Sequence, residues 1–260
     1  MLCIKPHCST DAGTQQFSLE PLRYGGYAWR QTKPKPFNWT SSMALAIFDL
    51  DNTLIAGDSD HGWGEFMVEK RLVDPQYYKK MNDRFYADYE AGCLDIFAYL
   101  EFSLEPLTKI PRDELQQLHQ EFMASVIEPM KLEKAEQLIN THREAGDRLL
   151  VITSTHRFIV EPICQSLGID EIIATDLEEI NGQYTGKVSG TPTFKEGKVI
   201  RFNQWLKEQG ETNVQSYFYS DSINDLPLLL EVSNPVAVDP DSALREQAES
   251  RNWKIISLRD

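Results

Sequence analysis

The stretch Ala44-Leu45-Ala46-Ile47-Phe48-Asp49-Leu50-Asp51-Asn52-Thr53-Leu54 constrains the fold of this 260-residue chain more than any other. An unbroken apolar run of strand length ends in two aspartates one residue apart. Such runs belong to parallel strands covered on both faces. Residues i and i+2 of an extended chain point the same way, so Asp49 and Asp51 address one pocket. Open α/β sheets bind ligands at the carboxyl ends of their strands, which is where this pair stands.

The rest of the chain repeats the pattern. Arg148–Ile152 reads as a second buried strand ending in Thr153-Ser154-Thr155, and Val214–Tyr219 as another ending in Ser220-Asp221-Ser222-Ile223-Asn224-Asp225. Helical patterns at 131–144, 158–167, 199–206, 226–232 and 242–249 alternate with strands at 172–175, 235–238 and 253–257. Asn181-Gly182 is a hairpin signal. Strands alternating with helices predict an α/β fold with a doubly wound parallel sheet. Residues 61–145 hold no strand signal. Their aromatic and methionine stripe at helical spacing (Trp63, Phe66, Met67, Leu72) reads as the core of an inserted, all-helical cap. The expected division is a catalytic core of residues 43–58 and 131–260 with a cap of 59–130.

Residues 1–42 differ in character, with a Lys-Pro-Lys-Pro run, Gly25-Gly26 and five basic residues against two acids. They read as a disordered extension, with Met43 as the working start. Cys3, Cys8, Cys93 and Cys164 are scattered and form no Cys-x-x-Cys pair, as in a reducing, cytoplasmic compartment. No apolar stretch reaches membrane-spanning length, and the net charge of −14 argues against nucleic acid and anionic membranes as partners. Nothing in the sequence assigns an oligomeric state.

Three polar clusters at strand ends, with Lys198 or Lys195 opening a helix between the last two, converge on one sheet edge. Two unit charges about 4 Å apart cost ~4 kcal/mol at an effective dielectric of about 20, so four aspartates there demand a cation. Oxygen donors without His or Cys select Mg²⁺. Each cluster alone has a plainer reading as a helix cap or dipole partner. Their joint order is what carries the argument.

Phe-Asp49-Leu-Asp51-Asn-Thr53-Leu, Ile-Thr153-Ser, Lys198 and Ser-Asp221-Ser-Ile-Asn224-Asp225 together resemble the four motifs of the haloacid dehalogenase superfamily. The helical insert is similar to a type 1 cap, and the phosphoserine phosphatase-like branch is the nearest. The resemblance implies a Rossmann-like core and hydrolysis of a small phosphorylated metabolite. It makes Asp49 the nucleophile and Asp51 the general acid and base. Mg²⁺ would be held by Asp49, the Asp51 carbonyl and Asp221, with Asn224 and Asp225 in support. Thr153 and the amide of Ser154 would bind phosphoryl oxygens, and a lysine would neutralise charge. Lys198, which directly opens the helix, is preferred, although Lys195 fits the spacing of phosphoserine phosphatases about equally well.

Asp58 matches the position at which phosphoserine phosphatases meet the substrate ammonium. Their carboxylate-binding arginine has no counterpart, since the matching window, counted from Gly92, reads Glu101-Phe102-Ser103. Asp58, Asp60 and Glu101 are therefore the expected substrate-binding acids, although Asp60 and Glu101 read equally well as structural or solvated. An amine-bearing, carboxylate-free ester such as histidinol phosphate is favoured over phosphoserine. The alternatives are a broad-specificity phosphatase and a non-catalytic phospho-ligand binder.

Overall fold

The computed structural model describes residues 44–211 and 215–259. The expected extension over 1–42 lies outside them. Six parallel strands form one sheet in the order β3-β2-β1-β6-β7-β8. They are β1 (Leu45–Phe48), β2 (Arg148–His156), β3 (Ile172–Thr175), β6 (Ser216–Ser220), β7 (Asn234–Val238) and β8 (Lys254–Ile256), while β4 (Leu177–Ile180) and β5 (Gln183–Val188) make a separate antiparallel hairpin. Every residue of β1 is fully buried, as its unbroken apolar run requires.

The period of two divides β1 between two cores. Ala46 and Phe48 join Val151, Ala174 and Tyr219 on one face. Leu45 and Ile47 join Leu150, Ile152 and Phe218 on the other. The first face is covered by α5 (Glu133–Ala145) and α6 (Arg157–Ser166), the second by α7 (Glu196–Gln209), α8 (Leu226–Leu229) and α9 (Ser242–Ser250). Strand order runs outward in opposite directions from β1 and β6, so the switch point of the sheet lies between them. In register, Phe48 lies beside Val151 and Tyr219. The polar stretches after Phe48, Ile152 and Tyr219 therefore begin at one level.

Between β1 and β2 the chain builds the cap from α1 (Ser59–Glu69), α2 (Pro75–Glu90), α3 (Ile96–Leu104) and α4 (Arg112–Phe122). Asp58, Asp74 and Asp95 cap the first three helices, each accepting from backbone amides one turn ahead. Gly64 lets α2 approach α1, because a Cβ there would lie 2.6 Å from the Asn82 amide. The chain leaves and re-enters the core side by side: the Ala56 amide donates to the Met130 carbonyl at 2.7 Å, and Ile55 bridges Lys131.

One feature departs from expectation. β2 does not end at Ile152 but continues through Thr153, Ser154 and Thr155 to His156, with an irregular register against β3 over that stretch. Threonine is a good strand former, and bulged pairing beside a site re-aims side chains. The Asn181-Gly182 hairpin, with both residues at positive φ, packs on the cap. The Gln183 side-chain Nε2 donates to the carbonyls of Leu107 and Ile110 at 3.2 and 3.0 Å, and Arg112 stacks on the Tyr184 ring.

Candidate active site

Asp49 follows the last residue of β1, and its amide donates to the Tyr219 carbonyl, which fixes it at the sheet edge. Lys198 lies in the first turn of α7, where Gly197 allows the backbone to press against Pro192; a Cβ on Gly197 would lie 2.0 Å from the Pro192 carbonyl oxygen. From there the fully buried ammonium reaches Asp49 Oδ1 at 2.8 Å and Asp225 Oδ1 at 2.6 Å. Burial alone would lower the Lys198 pKa, but Asp225 and Asp49 override it and hold the ammonium charged. The second oxygen of Asp225 accepts from the Ser220 hydroxyl at 2.7 Å.

Lys195 is placed differently. It precedes α7 at φ 49° and directs its ammonium to the Gly92 carbonyl of the cap, 2.8 Å away. Of the two lysines, Lys198 is the one among the aspartates.

Asp51 is gripped at both oxygens. The Ser59 amide donates to Oδ1 at 2.6 Å and the Thr155 hydroxyl to Oδ2 at 2.9 Å. Burial, then the nearby charge of Asp58, pushes its pKa up to about 7 against these donors. Asp49 is likewise raised to about 7 by burial, with Lys198 opposing and Asp225 adding to the rise. Asp221 accepts from the Thr53 hydroxyl at 3.1 Å, and burial with Asp49 and Asp225 pushes it well above the carboxylate range. Thr153 is fully buried, and its hydroxyl accepts from the Thr155 amide at 3.2 Å. The Asn224 side-chain amide donates to the Tyr89 carbonyl of the cap and to Ser222 Oγ.

A cavity between cap and core adjoins this cluster, lined by Asp58, Asp60, Tyr86, Tyr99, Ser154 and Thr155 among others. Asp58 Oδ1 accepts from the amides of Asp60 and His61 at 2.9 and 2.8 Å. His61, expected to be a packed or capping residue, lies against Tyr86 and contacts Asp83 at 3.2 Å. Glu101 is not in the cavity. It is exposed on α3, two residues after Tyr99, and at about 100° per residue it lies on the other side of that helix. The expectation of a substrate contact from Glu101 is corrected on that ground.

The haloacid dehalogenase-like hydrolase family matches residues 46–230. The chain belongs to that family. A histidinol-phosphatase from Neisseria meningitidis is 50% identical over 220 residues, covering 83% of this chain and 99% of the relative. A crystal structure of a Bordetella pertussis protein of unknown function is 41% identical, with a TM-score of 0.79, over 84% of this chain and all of the other. A substrate-bound phosphoserine phosphatase shares the fold, with a TM-score of 0.64 at 18% identity over 85% of this chain and 95% of that one. Within the family, this hydrolase is an enzyme of phosphate-ester chemistry, and hydrolases of its fold generically require Mg²⁺.

The residues present fit such an ion. Asp49 and Asp225 share one ammonium, while Asp51 and Asp221 stand near Asp49 with no cation of their own among the described residues, leaving a surplus of carboxylate oxygens without His or Cys among them. Among the described residues, a tighter acidic group is His61, Glu65 and Asp83 on the cap, but Lys79 pairs with both of its acids at 3.3 Å. Sequence reading passed over Thr155 and Ser59, which hold Asp51. Alternation along β2 would have found Thr155, which points the same way as Thr153. The Ser59 amide had no side-chain signal to find.

Proposed function

We infer that this hydrolase cleaves a phosphate monoester through an aspartyl phosphate on Asp49 and that its substrate is histidinol phosphate. In the first half-reaction Asp49 attacks phosphorus, the bond to the leaving alcohol oxygen breaks, and Asp51 delivers a proton to that oxygen. In the second, water attacks the acyl phosphate while Asp51 takes its proton, releasing inorganic phosphate and restoring the Asp49 carboxylate. The Thr153 hydroxyl and the Ser154 amide hold phosphoryl oxygens, and Lys198 offsets the developing charge. Asp49, the Asp51 carbonyl and Asp221 would hold Mg²⁺, with Asn224 and Asp225 in support; when bound, the ion neutralises phosphoryl charge as a Lewis acid. An acid clamped at both oxygens beside the nucleophile supports hydrolysis, since a phospho-ligand binder needs none.

For the substrate, the carrying observation is the cavity's lining: it contains Asp58 and Asp60 and, among the described residues, neither Lys nor Arg. A substrate carboxylate would meet repulsion there, whereas an amine and an imidazole would not. The identity to the N. meningitidis histidinol-phosphatase supports the same choice. The test is turnover, with Mg²⁺, of a panel including histidinol phosphate and phosphoserine. Histidinol phosphate is expected to lead, and Asp49→Asn to be inactive on every ester. Faster turnover of phosphoserine would overturn the substrate; a wild type inactive on the whole panel would overturn the reaction.

A further inference from the structure

The two cavity acids differ in their surroundings. Asp58 caps α1, and two helix amides stabilise its charge. Asp60 stands inside the helix without an amide partner. Its carboxylate meets the Tyr99 hydroxyl, and His156 Nε2 lies 3.9 Å from Oδ1. An ionised carboxylate accepts at about four lone-pair sites, so one hydroxyl leaves most of that capacity unused. His156 is 1% exposed, and neither of its ring nitrogens has a hydrogen-bond partner. Burial, with His119 nearby, lowers the His156 pKa to about 3, so the imidazole is neutral and provides Asp60 with no positive charge. Burial and Asp58 push the Asp60 carboxyl well above its usual range. Asp60 is thus a largely buried acid without a counter-charge among the described residues, held at the wall of a cavity.

Much of the remaining lining is aromatic. Phe85, Tyr86, Tyr89 and Phe194 line the same cavity as Tyr99. Ring faces carry negative potential and attract a cation or a protonated flat ring. Two carboxylates, one at a helix amino terminus and one beside Tyr99, make two places for positive charge.

Resting on the phosphatase reading above, we propose that Asp60, positioned by Tyr99 and backed by His156, is a second cation-recognising residue distinct from Asp58. The favoured leaving alcohol then carries two nitrogens able to bear a proton, one of them on a flat ring. Asp58 takes the amine and Asp60 takes the ring nitrogen, with the aromatic walls covering the ring's faces.

The test compares kcat/KM for histidinol phosphate, which has amine and ring, with phosphoethanolamine, which has the amine alone. Asp60→Asn is expected to lower that preference ratio tenfold or more, chiefly through KM for histidinol phosphate. Tyr99→Phe, which keeps the ring and removes the hydroxyl, is expected to lower it about threefold in the same direction. It carries the comparison if Asp60→Asn does not fold. An unchanged ratio in the variants that fold, or an equal fall in kcat on both esters, would overturn the inference while leaving the phosphatase reading intact. A wild type inactive on both esters would overturn that reading and the inference together.

Discussion

The Thr155 hydroxyl donates to Asp51 Oδ2 at 2.9 Å, opposite the Ser59 amide on Oδ1, so the acid is held from core and cap at once. A hydrogen bond to a charged group is worth about 1.5–3 kcal/mol. Thr155→Val preserves shape and removes the donor. We expect kcat to fall on the order of tenfold with KM little moved, measured by steady-state turnover of the best ester.

Lys198 and Lys195 separate by replacement. Lys198→Ala leaves Asp49 and Asp225 buried without their counter-charge, a defect that costs about 3–5 kcal/mol of stability. Turnover should fall by about 10²–10³ or more, as for loss of a group stabilising transition-state charge. Lys195→Ala removes one bond to the Gly92 carbonyl and should cost less than about tenfold. Denaturant melts and turnover of both variants check this. A severe loss at 195 with a mild one at 198 would transfer the phosphate-binding role.

Gly197 is where backbone contact places the lysine. Gly197→Ala forces the start of α7 away from the Pro192 carbonyl and carries Lys198 with it. Overpacking of this kind costs about 1–3 kcal/mol, and the turnover loss should exceed that of Glu196→Ala, an exposed neighbour. Thermal melts and kcat of the pair are the measurement.

Asp58 gives a pH signature. Burial raises its pKa to about 6; the His61 and Asp60 amides oppose the shift, and Asp49 and Glu90 add to it. The carboxylate form is the one that attracts an ammonium, so KM for an amine-bearing ester should rise as pH falls through about 6 and level off above it. The ester's own phosphate also titrates near 6. Asp58→Asn, which cannot titrate, isolates the enzyme's share: its KM profile should lack the component attributed to Asp58.

The surplus of buried carboxylates predicts a metal-dependent melting point. A ligand that binds the folded chain alone stabilises it by RT ln(1 + [L]/Kd), about 2.7 kcal/mol at a hundredfold excess over Kd. Added Mg²⁺ should raise the melting temperature of the chelator-treated protein and restore its activity. Asp221→Asn should shrink the melting shift, a readout independent of turnover.

Much of this protein was legible in its residues. The buried run of β1, the βα alternation and the turn at Asn181-Gly182 are local patterns, set by side-chain period and backbone preference. The approach of Asp49 to Asp221 also followed, because a parallel sheet brings the carboxyl ends of its strands to one edge. Tertiary structure alone decided which lysine enters the cluster, since Lys195 and Lys198 open the same helix and differ only in the direction each side chain takes. It alone brought the Ser59 amide to Asp51 and the hairpin to the cap, and it turned Glu101 outward. Those outcomes depend on backbone amides and on contacts between residues far apart in the chain, which no local pattern records. The Asp-x-Asp at the end of β1 specified where the carboxylates gather; packing around it specified how each one is held.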